Sequence, residues 1–211
     1  MTVAIIGTGN MGRALAERLA EAGDDVVLAS RDAERARSIA ASIAPKVRGC
    51  DLADAAAQAD LLVLAVHYAK AAEVLARLGD LSGKVVVDMS NPVTEDFMAL
   101  TIGHTTSAAE ELQKLVPGAR VVKAFNTIFA RLLSEPPRSP SGRVQVFYAA
   151  DAPEAAERVA ELIARIGFQP VNAGPLQNAR YLEPVGELNI HFGFALGWGT
   201  AVAPAWIQFA A

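Results

Sequence analysis

The apolar run Val3-Ala4-Ile5-Ile6 leads into Gly7-Thr8-Gly9-Asn10-Met11-Gly12, which opens a helical pattern. In that setting each glycine has its own use. Gly7 permits a tight turn, Gly9 lets a pyrophosphate approach the backbone, and Gly12 lets the helix pack close to the strand. The helix N-terminus then offers free N–H groups and a positive dipole end to the phosphates. Roughly 20 residues on, a site for NADH carries Asp or Glu for the ribose 2′-hydroxyl. This chain has Ser30-Arg31 there, with Arg35 one helical turn later. A hydroxyl and two guanidinium groups suit a 2′-phosphate, which a carboxylate would repel. Asp32 dissents, but a role as helix cap accounts for it. The expected cofactor is NADPH rather than NADH.

Groups that could move a proton are sparse. There is no Tyr-x-x-x-Lys pair, no Ser/His/Asp set readable from spacing, and no Cys- or His-based metal spacing. No catalytic residue is assigned; His67 and His191 are the candidates. His67 follows the fourth strand at the edge where ligands of such sheets sit, and reads either as a cofactor or substrate contact or as a loop histidine. His191 lies among Ile190, Phe192 and Phe194 and reads as a core histidine before an acceptor contact. His104 reads as solvated, and Lys123 as structural rather than catalytic. A hydride acceptor that delocalises the incoming charge needs chiefly alignment, so proximity and orientation would carry catalysis. That favours a flavin-like acceptor over a simple ketone.

Strand-like runs alternate with Ala- and Glu-rich helical patterns. Strands are expected at residues 3–6, 26–29, 46–50, 61–66, 85–88, 120–125, 144–148 and 168–171. Helices are expected at 12–22, 33–43, 51–59, 69–78, 107–115, 153–166 and 178–196. Gly23 reads as a C-terminal cap, Asp32 and Asp151 as N-terminal caps, and Ser107 with Glu110 as a capping box. Residues 134–142, with three prolines, read as a loop. This alternation implies an α/β doubly wound parallel sheet of about eight strands with a short C-terminal helical segment. The whole chain, 1–211, is expected to be one dinucleotide-binding domain with 172–211 as an extension.

Composition bounds the rest. With 52% apolar and 20% charged residues, the 211-residue chain can bury a substantial core. A net charge of −4 argues against nucleic acid or an anionic membrane as partner. Cys50 stands alone, so no disulfide forms within the chain. Met1-Thr2 enters an apolar strand with no basic leader, so a cytoplasmic protein is expected. The apolar stretch 192–211 is broken by Gly193, Gly197, Gly199 and Pro204, which suits a buried or interfacial segment better than a membrane span. Trp198 and Trp206 are assigned to a homodimer interface before an acceptor cover.

Five stretches carry a family resemblance: the glycine turn, Ser30-Arg31, Ser90-Asn91-Pro92, residues 121–127 and residues 172–180. Together they resemble the NADPH-dependent reductases of the deazaflavin coenzyme F420, and the reductase domain of the six-transmembrane metalloreductases. The last stretch, Asn172-Ala173-Gly174-Pro175-Leu176-Gln177-Asn178-Ala179-Arg180, is the most specific. The resemblance implies a Rossmann-fold oxidoreductase that moves a hydride between NADP(H) and a deazaflavin or flavin-like small-molecule acceptor. It places Thr8, Gly9, Asn10 and Met11 on the pyrophosphate, and Ser30, Arg31 and Arg35 on the 2′-phosphate. Val66, His67, Asn91, Asn126 and Thr127 would flank the ribose and nicotinamide. Two other readings stay open: reduction of a small imine or keto acid, and NADPH sensing without turnover.

Overall fold

A computed structural model describes residues 1–134, 138–139 and 142–209. The first half of the chain forms β1 (Thr2–Ile6), α1 (Asn10–Glu21), β2 (Asp25–Ala29), α2 (Ala33–Ile43), β3 (Arg48–Cys50), α3 (Leu52–Gln58), β4 (Leu61–Leu64), α4 (Tyr68–Leu75) and β5 (Val85–Asp88). The second half forms α5 (Ala108–Leu115), β6 (Arg120–Ala124), α6 (Ala130–Ser134), β7 (Arg138–Ser139), β8 (Gly142–Arg143), β9 (Gln145–Ala150), α7 (Pro153–Arg165), β10 (Gln169–Asn172) and α8 (Ala179–Ile190).

Eight strands make one sheet in the order β10-β9-β6-β5-β4-β1-β2-β3. The first six are parallel and wind outward in both directions from β1 and β4. Period-two alternation divides each strand between the faces. Val3 and Ile5 of β1 join Leu15, Leu19, Val159 and Leu162 in one buried cluster. Ala4 and Ile6 join Leu52, Leu75 and Leu112 in the other. Helices therefore cover both faces, as near-continuous apolar runs such as Leu61-Leu62-Val63-Leu64 require.

The sheet is not wholly parallel. β9 runs antiparallel to β6, and β10 is parallel to β9. Among the described residues between β6 and β9, the only helix is the five-residue α6, which packs on α1. A parallel pair needs a crossover that carries the chain back along the sheet, usually a longer helix. Without one, the chain enters β9 from the edge where β6 ended. Part of the expected 134–142 loop, residues 135–137 and 140–141, lies outside the described residues; β7 and β8 pair there as a short antiparallel ribbon.

Several caps fall where expected. Gly23, at φ +93°, closes α1: its N–H donates to Ala20 O and that of Asp24 to Leu19 O, a Schellman pattern. Asp32 accepts from Arg35 N at 3.0 Å and Ser107 Oγ from Glu110 N at 3.2 Å. Asp151 does not cap α7, whose cap residue is Ala152. Its carboxylate instead accepts from Leu176 N at 2.9 Å, tying the end of β9 to the turn before α8. The last helix is also shorter than expected. α8 ends at Ile190 and a π-turn, His191–Ala195, follows it.

The tightest packing lies at the first turn. A Cβ added to Gly12 would sit 2.1 Å from Gly7 O, a backbone atom that cannot step aside. Gly12→Ala should cost about 1–3 kcal/mol, the usual range for overpacking. Equilibrium denaturation measures it, and an unchanged midpoint would show that the turn relaxes freely.

Candidate functional site

β1 and β4 lie side by side, and their following segments leave the sheet in opposite directions, which opens a crevice at their carboxyl ends. Gly7 turns the chain there. Its N–H donates to Ala29 O at 2.8 Å, its φ is +129°, and a Cβ would meet Ala65 O at 2.2 Å. α1 then starts at Gly9 with no capping side chain and no acidic residue in its first turn. By comparison, α2, α3 and α5 are capped by their own Asp or Ser, whereas α4, α7 and α8, like α1, have no side-chain cap. Among the described residues no side chain caps the first N–H groups of α1, which face the crevice.

The crevice has a volume of about 1010 Å³. In the strand order β2-β1-β4-β5-β6, its lining follows in turn: Arg31 and Arg35 after β2, Gly7, Thr8, Gly9, Asn10 and Met11 after β1, and Val66, His67, Asn91, Asn126 and Thr127 after β4, β5 and β6. Twelve residues expected from the sequence are therefore gathered in one cavity. Three are not on its wall. Gly12 lies behind the turn and supports it. Ser30 turns its hydroxyl to Asp32 O at 2.5 Å. His191 sits half-buried in the π-turn.

At the end away from the arginines, the two asparagines clasp each other. Asn91 Nδ2 donates to Asn126 O at 2.8 Å, and Asn126 Nδ2 donates to Asn91 Oδ1 and Leu182 O, both at 2.9 Å. This leaves Ser90 Oγ, Asn126 Oδ1 and Thr127 Oγ1 buried without a hydrogen-bond partner. Each orphaned group costs about 1–3 kcal/mol unless something meets it. All three residues line the crevice. A carboxamide, with one acceptor and two donors, matches hydroxyl and amide-oxygen partners of this kind. Aromatic rings stand beside them. Phe129 and Phe194 meet edge to face at 5.6 Å, and His67 lies 6.0 Å from Phe97. The crevice residues therefore fit a phosphorylated nicotinamide dinucleotide along the whole length: guanidinium groups, uncapped N–H groups, then orphaned polar atoms among rings.

The resemblance implies a C-terminal segment near the acceptor, but the sequence reading assigned to the site none of the α8 residues that line the crevice. Gly186, Asn189 and Ile190 of α8, with Phe194 of the π-turn, line the crevice beside the asparagine pair. A Cβ on Gly186 would come within 2.7 Å of the Asn91 amide and 2.8 Å of Asn126 O, so only glycine lets α8 approach this far. No local signal announces such a contact. Arg13, three residues after Asn10, also lines the crevice and was legible from helical spacing.

A buried ionic cluster holds these parts together. Lys123 is fully buried, with Nζ 2.7 Å from Asp88 Oδ2, 2.8 Å from Glu183 Oε1 and 2.5 Å from Ser90 O. Glu183 also accepts from Ala108 N and Ala109 N at the start of α5, and Asp88 from Ser90 N. Burial disfavours the Lys123 charge, but the two carboxylates outweigh it and raise its pKa. Lys123 is not on the crevice wall; it fixes the Ser90-Asn91 turn and α8, the structural role expected of it. The most specific sequence stretch does similar work. Arg180 forks onto Glu110 at 2.6 and 2.9 Å. Hydrogen bonds from Arg180 hold the Glu110 carboxyl below its ordinary range, although partial burial opposes them. Asn172 accepts from Gly174 N at 2.7 Å and Asn178 donates to Ala173 O at 2.5 Å, which shapes the turn.

Fold and crevice together define a Rossmann-type NADP-dependent oxidoreductase. The comparisons narrow the class. Residues 2–92 match the family model described as NADP oxidoreductase, coenzyme F420-dependent. The chain is 34% identical over 207 residues to the F420-dependent NADP reductase of Methanothermobacter thermautotrophicus, covering 90% of this chain and 88% of that one. A solved structure from Arthrobacter sp. FB24, assigned as an F420-dependent NADP-reductase, superposes with a TM-score of 0.85 at 30% identity, over 94% and 96% of the two chains. The chain is also 35% identical over 184 residues to rat (Rattus norvegicus) metalloreductase STEAP3, where it spans 87% of its own length but only 36% of the relative's. It belongs to the coenzyme F420-dependent NADP oxidoreductase family.

Removing one member of a buried ion cluster leaves the others uncompensated. Lys123→Met should destabilise the fold by about 3–5 kcal/mol. Chemical denaturation checks this, and a loss under about 1 kcal/mol would show that the cluster is not the clamp described.

Proposed function

We propose that this protein transfers a hydride between NADP(H) and a deazaflavin such as coenzyme F420, or a flavin-like ring, at the asparagine end of the crevice. The observation that carries the reading is the pairing of an uncapped, acid-free α1 N-terminus with Arg31 and Arg35 one crevice-length from the orphaned Asn126 and Thr127 oxygens. Thr8, Gly9, Asn10 and Met11 hold the pyrophosphate through the helix start. Arg31 and Arg35 hold the 2′-phosphate, and Ser30 stiffens the turn that presents them. Val66, His67, Asn91, Asn126 and Thr127 orient the ribose and nicotinamide. When bound, the nicotinamide would supply a hydride, two electrons with one proton, and a proton from bulk solvent would complete reduction of the acceptor. The chain's share is alignment: the asparagine clasp fixes one ring, and Phe97, Phe129 and Phe194 give the other an apolar wall. Effective concentration and orientation then carry the rate.

The names of the relatives support deazaflavin as the acceptor. The lone Cys50 supports a reducing, cytoplasmic setting. We take the chain to act as one cofactor-binding unit and as a homodimer. Exposed Trp198, Trp206, Ile207 and Phe209 support the dimer, because surface apolar residues gathered in one segment mark contact sites. No helix among the described residues is long and apolar enough to cross a membrane.

Stopped-flow oxidation of NADPH against a deazaflavin, free flavins, a ferric chelate and a cyclic imine should give turnover with the planar heterocycles. Arg31→Ala should weaken NADPH binding tenfold or more, the equivalent of one charged hydrogen bond at about 1.5–3 kcal/mol, and leave NADH nearly unchanged. Failure of every acceptor, or equal losses for both cofactors, would contradict the reading.

A further inference from the structure

Arg31 does not wait free at the crevice end. Its Nη1 reaches α4 and lies 3.2 Å from Glu73 Oε1, with both side chains about half exposed. Lys70 and Val74, on either side of Glu73 in α4, line the same crevice, so the pair spans its rim from the end of β2 to α4. The Arg35 guanidinium beside it makes no ion pair among the described residues.

We propose that Glu73 sets the cofactor affinity of this site: its carboxylate occupies the guanidinium that a 2′-phosphate must take, and yields it on binding. The proposal rests on the reading that Arg31 meets that phosphate. Two anions cannot share one guanidinium at this rim without repelling each other. A half-exposed carboxylate holds an arginine weakly, because water screens the pair and two long side chains lose freedom. A phosphate dianion binds the same fork more strongly. The exchange therefore runs downhill for a phosphorylated adenosine. A bare 2′-hydroxyl offers less than the carboxylate, so NADH leaves the Arg31–Glu73 pair intact. Glu73 thus acts on 2′-phosphorylated ligands alone.

The test is calorimetric titration of the full chain with adenosine 2′,5′-bisphosphate, 5′-AMP, NADPH and NADH. Glu73→Gln should tighten the bisphosphate and NADPH by about two- to fivefold, the range an exposed pair can supply, and leave 5′-AMP and NADH unchanged. In an Arg31→Ala background the same substitution should have no effect. Weaker or unaltered bisphosphate binding by Glu73→Gln overturns the proposal, since Glu73 would then orient Arg31 or do nothing. Tightening that persists without Arg31 overturns it too. If Arg31→Ala alone leaves bisphosphate binding intact, the underlying assignment of Arg31 fails instead.

Discussion

Everything at this site depends on two backbone approaches that only glycine permits. Gly12 rests against the carbonyl of Gly7, and Gly7 against the carbonyl of Ala65. The first sets α1 directly on the end of β1. The second sets that turn against the end of β4, at the point where the sheet's winding reverses. A methyl group at either place would push the helix start away from the crevice. The phosphate-binding capacity is therefore a packing result first and an electrostatic one second: the N–H groups attract an anion only because the turn is tight enough to aim them.

The far end of the crevice is built differently, from parts distant in sequence. Because β9 runs antiparallel, β9 and β10 both end at the edge opposite the crevice, and α8 must travel back to reach it. Asp151 fixes the start of that return and the Arg180–Glu110 fork its first turn. The Lys123 cluster then joins β5, β6, α5 and α8 at one buried point. A buried ionic group is costly, and a hydrophobic replacement often stabilises more. Its use here is directional. It holds Ser90-Asn91 and Gly186 in contact, which apolar packing alone specifies less sharply.

Much of this was legible in the residues. Central strands such as Val85-Val86-Val87 read correctly because burial on both faces leaves a continuous apolar run. The glycine turn and the arginines after β2 could be read because their signals are local in sequence, and the structure gathers them in one crevice. The direction of β9 did not, since alternation of side chains is the same for either orientation. Asp151 was assigned to the wrong partner because an acid shortly before a helical pattern looks like a cap whatever it bonds. The crevice role of α8 was invisible for a similar reason: Gly186 resembles any helix-weakening glycine until the asparagine clasp is placed against it. Glu73 carried no signal either, because its contact with Arg31 joins residues 42 positions apart on an exposed rim.

The most direct test of the account is a crystal structure with NADPH bound. The account requires the pyrophosphate over the N–H groups of residues 9–11, the 2′-phosphate within reach of Arg31 and Arg35, and the carboxamide on Asn126 and Thr127. A dinucleotide bound in the reverse sense, or lodged outside the β1–β4 crevice, would contradict it.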